Sequence, residues 1–197
     1  MAPFLGWLPD CKRAVRVIAL DVNNEPQSCG SLNRYAVRMS AHFHKLKCGP
    51  RSLMILAAKL GRPIDPDALW ERFAHDIEQS TAAPGAVSVS TLLDMARAFR
   101  IAQRLDVTHD VDRAGQALAT KNVAGVLMTW ERFPTSPGGG EFAACYHIVV
   151  AHRVMVGGDQ RRYIEIESAH EDESSEIARI PEASLPQMMS AFLIFHA

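Results

Sequence analysis

The stretch HFHKLKCGPRSLMILAAKLG, residues 42–61, sets a cysteine directly before Gly-Pro and an apolar run. Proline near a helix start loses nothing by lacking an N–H, so the run reads as a helix opening at Cys48. A thiol there meets unpaired backbone N–H groups and the positive end of the helix dipole. Both favour the thiolate, which is the reactive form. The same N–H groups can donate to an oxyanion. The plain alternative is a buried structural cysteine, which needs no such position.

A thiol nucleophile needs an imidazole beside it. Of the eight histidines, His147 is expected at the start of a strand, on a sheet rim that can face a helix terminus. Its bland reading is an edge or surface histidine. His152 faces the opposite side by strand alternation. His42 and His44 precede the cysteine as loop residues, and His75, His109, His170 and His196 suggest no role by position. The imidazole in turn needs an acceptor that fixes its tautomer. The return strand YIEIES, residues 163–168, ends beside the start of the strand carrying His147. Antiparallel pairing therefore predicts Glu167 and Ser168 near that ring. The plain reading of Glu167 is a solvated strand residue.

Several elements must position these residues. AVRVIALDV, 14–22, alternates as a strand, residues 23–31 read as a loop, and LNRYAVRMSAHF, 32–43, as a short helix. After Cys48, Leu53, Leu56 and Leu60 recur at helical spacing, with Ile55 and Ala57 broadening the buried face. Gly61 is the expected stop, and RPIDP, 62–66, a break. Helices are predicted over 65–79 with an acidic cap, over 88–101 with Ser88 or Ser90 as cap, and more weakly over 110–121. Strands follow at 123–130, 145–156 and 161–168, with a glycine-rich loop at 133–142 and a hairpin turn at GGDQ. A short helix and a last strand close the chain. Helices first and an antiparallel sheet after make the class α+β.

The composition narrows the function. The chain has 197 residues, 48% apolar and 22% charged, with a net charge of −1. That is globular composition, with enough core to need no metal or disulfide staple. The absence of a basic stripe argues against nucleic acid as the main ligand. Cys11, Cys29, Cys48 and Cys145 show neither C-x-x-C nor zinc spacing, so reduced thiols and no metal site are expected. The N-terminal residues lack a signal-peptide core, and no apolar run is long enough to span a bilayer. The expected location is cytoplasmic, or outside the cell by a route that reads no signal peptide.

Cys-Gly-Pro opening a helix, then a late strand with His, then a strand ending in an acid, resembles a papain-like cysteine peptidase. More narrowly it is similar to the bacteriocin-leader (double-glycine) peptidases and their stand-alone relatives, over about residues 40 to 195. The family's Cys-Gly-Pro matches Cys48, Gly49 and Pro50. Its His-aromatic-Val-Val-Val strand corresponds to HIVVAHRV and its closing acid to Glu167. The chain departs from the family in three ways. His42 stands six residues before the cysteine, where the family has Gln. Glu167 replaces Asp, with Ser168 in place of proline. No transporter segments follow.

The resemblance implies a papain-like domain over 41–197 behind an N-terminal extension, 1–40. Cys48 would be the nucleophile and His147 the base and acid. Glu167, with Ser168 as the alternative, would orient the ring. The Cys48 N–H and His42 would hold the oxyanion. Attack on a peptide or protein amide would give an acyl-enzyme without any cofactor. Water would release it in a peptidase, an amine in an acyltransferase, and a glutamine side chain as substrate would make a deamidase. A bacterial effector or toxin, with an inhibitor or immunity protein as partner, is one setting. A non-catalytic peptide-binding module is the reading from another class, and a structural or assembly protein a third.

Overall fold

A computed structural model of the chain describes residues 40–79, 87–134, 142–169, 175–188 and 191–197. The expected strand at 14–22, the loop after it, most of the N-terminal extension and the centre of the glycine-rich loop lie outside those residues. The helix expected over 32–43 is described only at its end, where a turn leads into a 3-10 turn, Phe43–Lys45.

Four helices and a strand come first: α1 (Cys48–Lys59), α2 (Pro66–Glu78), α3 (Val89–Ala98), β1 (Arg104–Thr108) and α4 (Val111–Ala119). Then follow β2 (Val123–Pro134), β3 (Phe142–Val156), β4 (Arg162–Ala169), β5 (Ser175–Pro181), the one-turn helix α5 (Leu185–Met188) and β6 (Ala191–His196). The helix starts match their sequence signals. The Asp65 carboxylate accepts the Asp67 N–H ahead of Pro66, Ser88 accepts the Thr91 N–H, and Asp110 accepts from Asp112 and Arg113. Gly61, with φ of 70°, follows α1 in the left-handed region. Leu60 was expected on the buried face of α1. It is 39% exposed, because the helix ends at Lys59 and the chain turns away.

The strands form one antiparallel sheet in the order β1-β6-β2-β3-β4-β5. Helices before an antiparallel sheet is the α+β arrangement expected. Two strands escaped the pattern reading. β1 is too short to show alternation, and no strand was expected over the residues of β5. Each is a sheet edge, where pairing on one side needs less apolar character.

The sheet has a filled core on both faces. On one, Leu53, Leu56, Leu69 and Leu92 of the first three helices pack on Leu127, Val150, Leu193 and Phe195. On the other, Ala114 of α4 and Leu185 of α5 cover Val126, Val149, Ala151, Ile164 and Ile166. Helix α1 is buried from Gly49 through Ala58, so it is the central strut rather than a surface helix. It packs tightly on the sheet at Gly125, where β2 shifts register against β6. A methyl group on Gly125 would run into Leu56 Cδ1 and Cγ. Gly125→Ala is expected to cost about 1–3 kcal/mol through overpacking. A thermal melt should show the loss, and a second change, Leu56→Ala, should recover less than its own cavity cost.

Candidate active site

Cys48 is the first residue of α1. Lys47 before it is extended and makes no side-chain bond to the first-turn N–H groups. The Cys48 side chain is half-buried and forms no disulfide. Cys11 and Cys29 lie outside the described residues.

The helix start is fixed against β3. The Ser52 hydroxyl donates to the Ile148 carbonyl at 2.8 Å. The Ile148 side chain faces Gly49, approaching to 3.5 Å of where a Cβ would stand. The contact falls at an opening in the sheet. The β3–β4 ladder runs from Val156↔Arg162 to Val150↔Glu167 and stops there. Ser168 and Ala169 continue only on the β5 side. Cys48 lies one turn before Ser52 on the same helix face, about 6 Å along the axis. That sets the thiol end of α1 at the mouth of the opening.

His147 is the β3 residue before Ile148, whose carbonyl and side chain meet α1. It was expected to begin its strand, but β3 starts at Phe142 and pairs with β2 through this region. What ends at His147 is the neighbourhood of the β4 ladder, not the strand. Alternation turns the ring to the face of Val149, away from Ile148 and its contact with α1. From there Nε2 reaches Ser168 Oγ at 3.0 Å, joining the two strands where their backbones have parted.

Glu167 requires a correction. Its carboxylate does not meet His147. Val150 is its backbone partner, so Glu167 shares the α1 face of the sheet, and Ser168, one residue on, takes the other. Glu167 is 1% exposed; Oε2 accepts from His152 Nε2 at 2.8 Å and Oε1 from the Ser175 hydroxyl at 2.6 Å. The residue read as a solvated or orienting acid is a buried acceptor in a separate cluster. Of the two expected near His147, the structure brings Ser168.

His42 is held by α2. Its Nδ1 lies 2.7 Å from Asp67 Oδ1, and the ring stacks on Trp70 at 5.5 Å with 4° between planes. Lys45 lies over the same indole at 4.7 Å. Asp67 also accepts the Ser40 hydroxyl at 2.6 Å. These two hydrogen bonds, Ser40's first, hold the Asp67 carboxyl below the usual range. The bond to Asp67 takes the Nδ1 proton, so Nε2 of a neutral ring is an acceptor. His42 can donate toward an oxyanion only as imidazolium. The buried Arg51 ties this turn to α1, donating to the Phe43 carbonyl at 3.2 Å and the His44 carbonyl at 3.4 Å.

No family model, no curated protein and no solved structure matches this chain. Among the described residues no three His, Cys, Asp or Glu side chains group closely enough to hold a metal ion, and no helix is long and apolar enough to cross a membrane. The Asp67–His42 and Ser168–His147 pairs join residues 25 and 21 positions apart. Neither spacing is a motif, though the hairpin made the second pair reachable.

Proposed function

We propose that the chain is a papain-like thiol hydrolase that acts on a peptide or protein amide through an acyl-enzyme. Cys48 is the nucleophile and His147 the base and acid. Ser168, rather than Glu167, keeps the imidazole in place. The observation that supports this best is the docking of the start of α1 on Ile148, the residue next to His147 on β3. With Nε2 engaged by Ser168, Nδ1 is the ring atom left for the thiol proton, and the transfer requires the ring to turn from the Val149 face toward the start of α1. The thiolate attacks the carbonyl carbon, and the oxyanion is met by the first-turn N–H of Cys48 and by His42 as imidazolium. The imidazolium then protonates the leaving amine, and a water repeats the sequence to release the acid.

A second reading, a peptide-binding module without turnover, is favoured by one feature. A hydroxyl at Ser168 cannot offset the imidazolium charge as a carboxylate would. Exposure of the protein to a mixed peptide library, read by mass spectrometry, separates the outcomes. New peptide termini mean a peptidase, conversion of Gln to Glu a deamidase, and ligated products an acyltransferase. Each must vanish in Cys48→Ala. Bound but unaltered peptides, the same with and without the thiol, would favour the module. Toxicity on expression that Cys48→Ala relieves would assign the enzyme to the effectors or toxins.

A further inference from the structure

The other end of α1 carries a second constellation, one that the thiol chemistry does not use. Lys59 is the last residue of the helix, some 11 residues and about 16 Å from Cys48. Its Nζ lies 2.6 Å from His152 Nδ1. His152 Nε2 lies 2.8 Å from Glu167 Oε2, and the Ser175 hydroxyl holds the other carboxylate oxygen at 2.6 Å. The order is nucleophile, imidazole, buried carboxylate, which is the logic of a catalytic triad with an amine in the first place.

The geometry fixes the tautomer. An ammonium can only donate, so His152 Nδ1 accepts from Lys59 and its proton sits on Nε2, facing Glu167. The carboxylate is positioned to stabilise the ring should it take a proton from the lysine. The neighbouring acid does not compete for this role. Glu165 is occupied by a bidentate bond from Arg153, at 3.0 Å on each oxygen, with Arg179 at 3.6 Å. Loss of water around the amine lowers the Lys59 pKa, against the opposing pull of Glu167 and then Glu165. The residue as a whole is exposed, with its stem toward solvent and its amine turned in to His152.

We propose that Lys59 is a reactive amine, an acyl-acceptor site for small activated acyl compounds such as acyl phosphates and thioesters. One ammonium proton passes to His152 Nδ1, and Glu167 stabilises the resulting imidazolium. The freed lone pair attacks the acyl carbon, forming the N–C bond. The C–O bond to phosphate, or the C–S bond of a thioester, breaks, and the leaving group takes its electron pair. The nitrogen and the imidazolium each release a proton to solvent or leaving group, and an amide remains on Lys59. Acylation removes the cation that faces His152.

The test uses the full chain carrying Cys48→Ala, so that no acyl group passes through the thiol. It is treated with acetyl phosphate near neutral pH, and each lysine is followed by peptide mass mapping. Lys59 is expected to acetylate at least about tenfold faster than the exposed Lys121, a modest share of what a positioned base contributes. His152→Asn and Glu167→Gln should each bring its rate down to that of Lys121. Lys59 reacting no faster than Lys121 overturns the proposal, as does an equal advantage in both folded variants. Should a variant melt below the assay temperature, the ratio in the protein with the relay intact decides alone.

Discussion

His147→Ala is expected to lower turnover of an amide substrate by about 10²- to 10⁴-fold, the range a positioned general base and acid contributes. In the proposed mechanism the ring takes the thiol proton and then protonates the leaving amine, and alanine performs neither. The effect should fall on kcat with KM little changed, because the imidazole acts on the reacting atoms rather than on the bulk of the substrate. Ser168→Ala should cost far less. It removes one neutral hydrogen bond, about 1 kcal/mol, or roughly a fivefold loss. The contrast is the signature of a hydroxyl that orients a ring without stabilising its charge. Initial rates on the first substrate from the peptide library measure both. Equal losses from the two changes would mean that Ser168 takes part in the proton transfer itself.

Glu167→Ala is expected to cost about 3 kcal/mol of stability and to leave the thiol unaffected. The carboxylate is 1% exposed, and its loss strips His152 and the Ser175 hydroxyl of their acceptor. Removing one member of a buried charged cluster is typically this expensive, because the remaining groups stay desolvated. For a chain of this length a thermal melt should fall by about 2–4 °C for each kcal/mol lost. Alkylation of Cys48, measured on folded protein, should proceed at the unmutated rate. If Glu167 instead oriented the catalytic ring, thiol reactivity would drop with the melt. The two readouts together separate a structural acid from a catalytic one.

What the residues alone disclose about this site ends at a particular place. Cys-Gly-Pro correctly announces where α1 begins, because proline and the apolar spacing after it act locally. Helix caps at Asp65, Ser88 and Asp110 are legible for the same reason. Leu60 misleads because helical spacing continues one residue beyond the helix itself. The choice between Glu167 and Ser168 turns on register. A strand reverses face at every residue, so an error of one position exchanges the partner of His147 for that of His152. The sequence pattern of the hairpin does not record that its ladder stops at Val150↔Glu167, nor that Ser52 occupies the carbonyl beyond it. Those facts arise from the way α1 meets two strands distant in the chain. The pairing of His42 with Asp67 is hidden for the same reason, since it depends on how α2 folds back over the turn before α1.

The central claim is that Cys48 and His147 form an activated pair, and it is tested most directly by the pH dependence of iodoacetamide alkylation at Cys48. Peptide mass mapping reads the rate in the unmutated protein and in His147→Ala. An ordinary thiol reacts with a midpoint near pH ~8.5. The account predicts a midpoint well below that in the unmutated protein and an upward shift when the imidazole is removed. The same ordinary midpoint in both proteins, or no labelling of the folded chain, would contradict it and leave Cys48 a packing residue at the head of a buried helix.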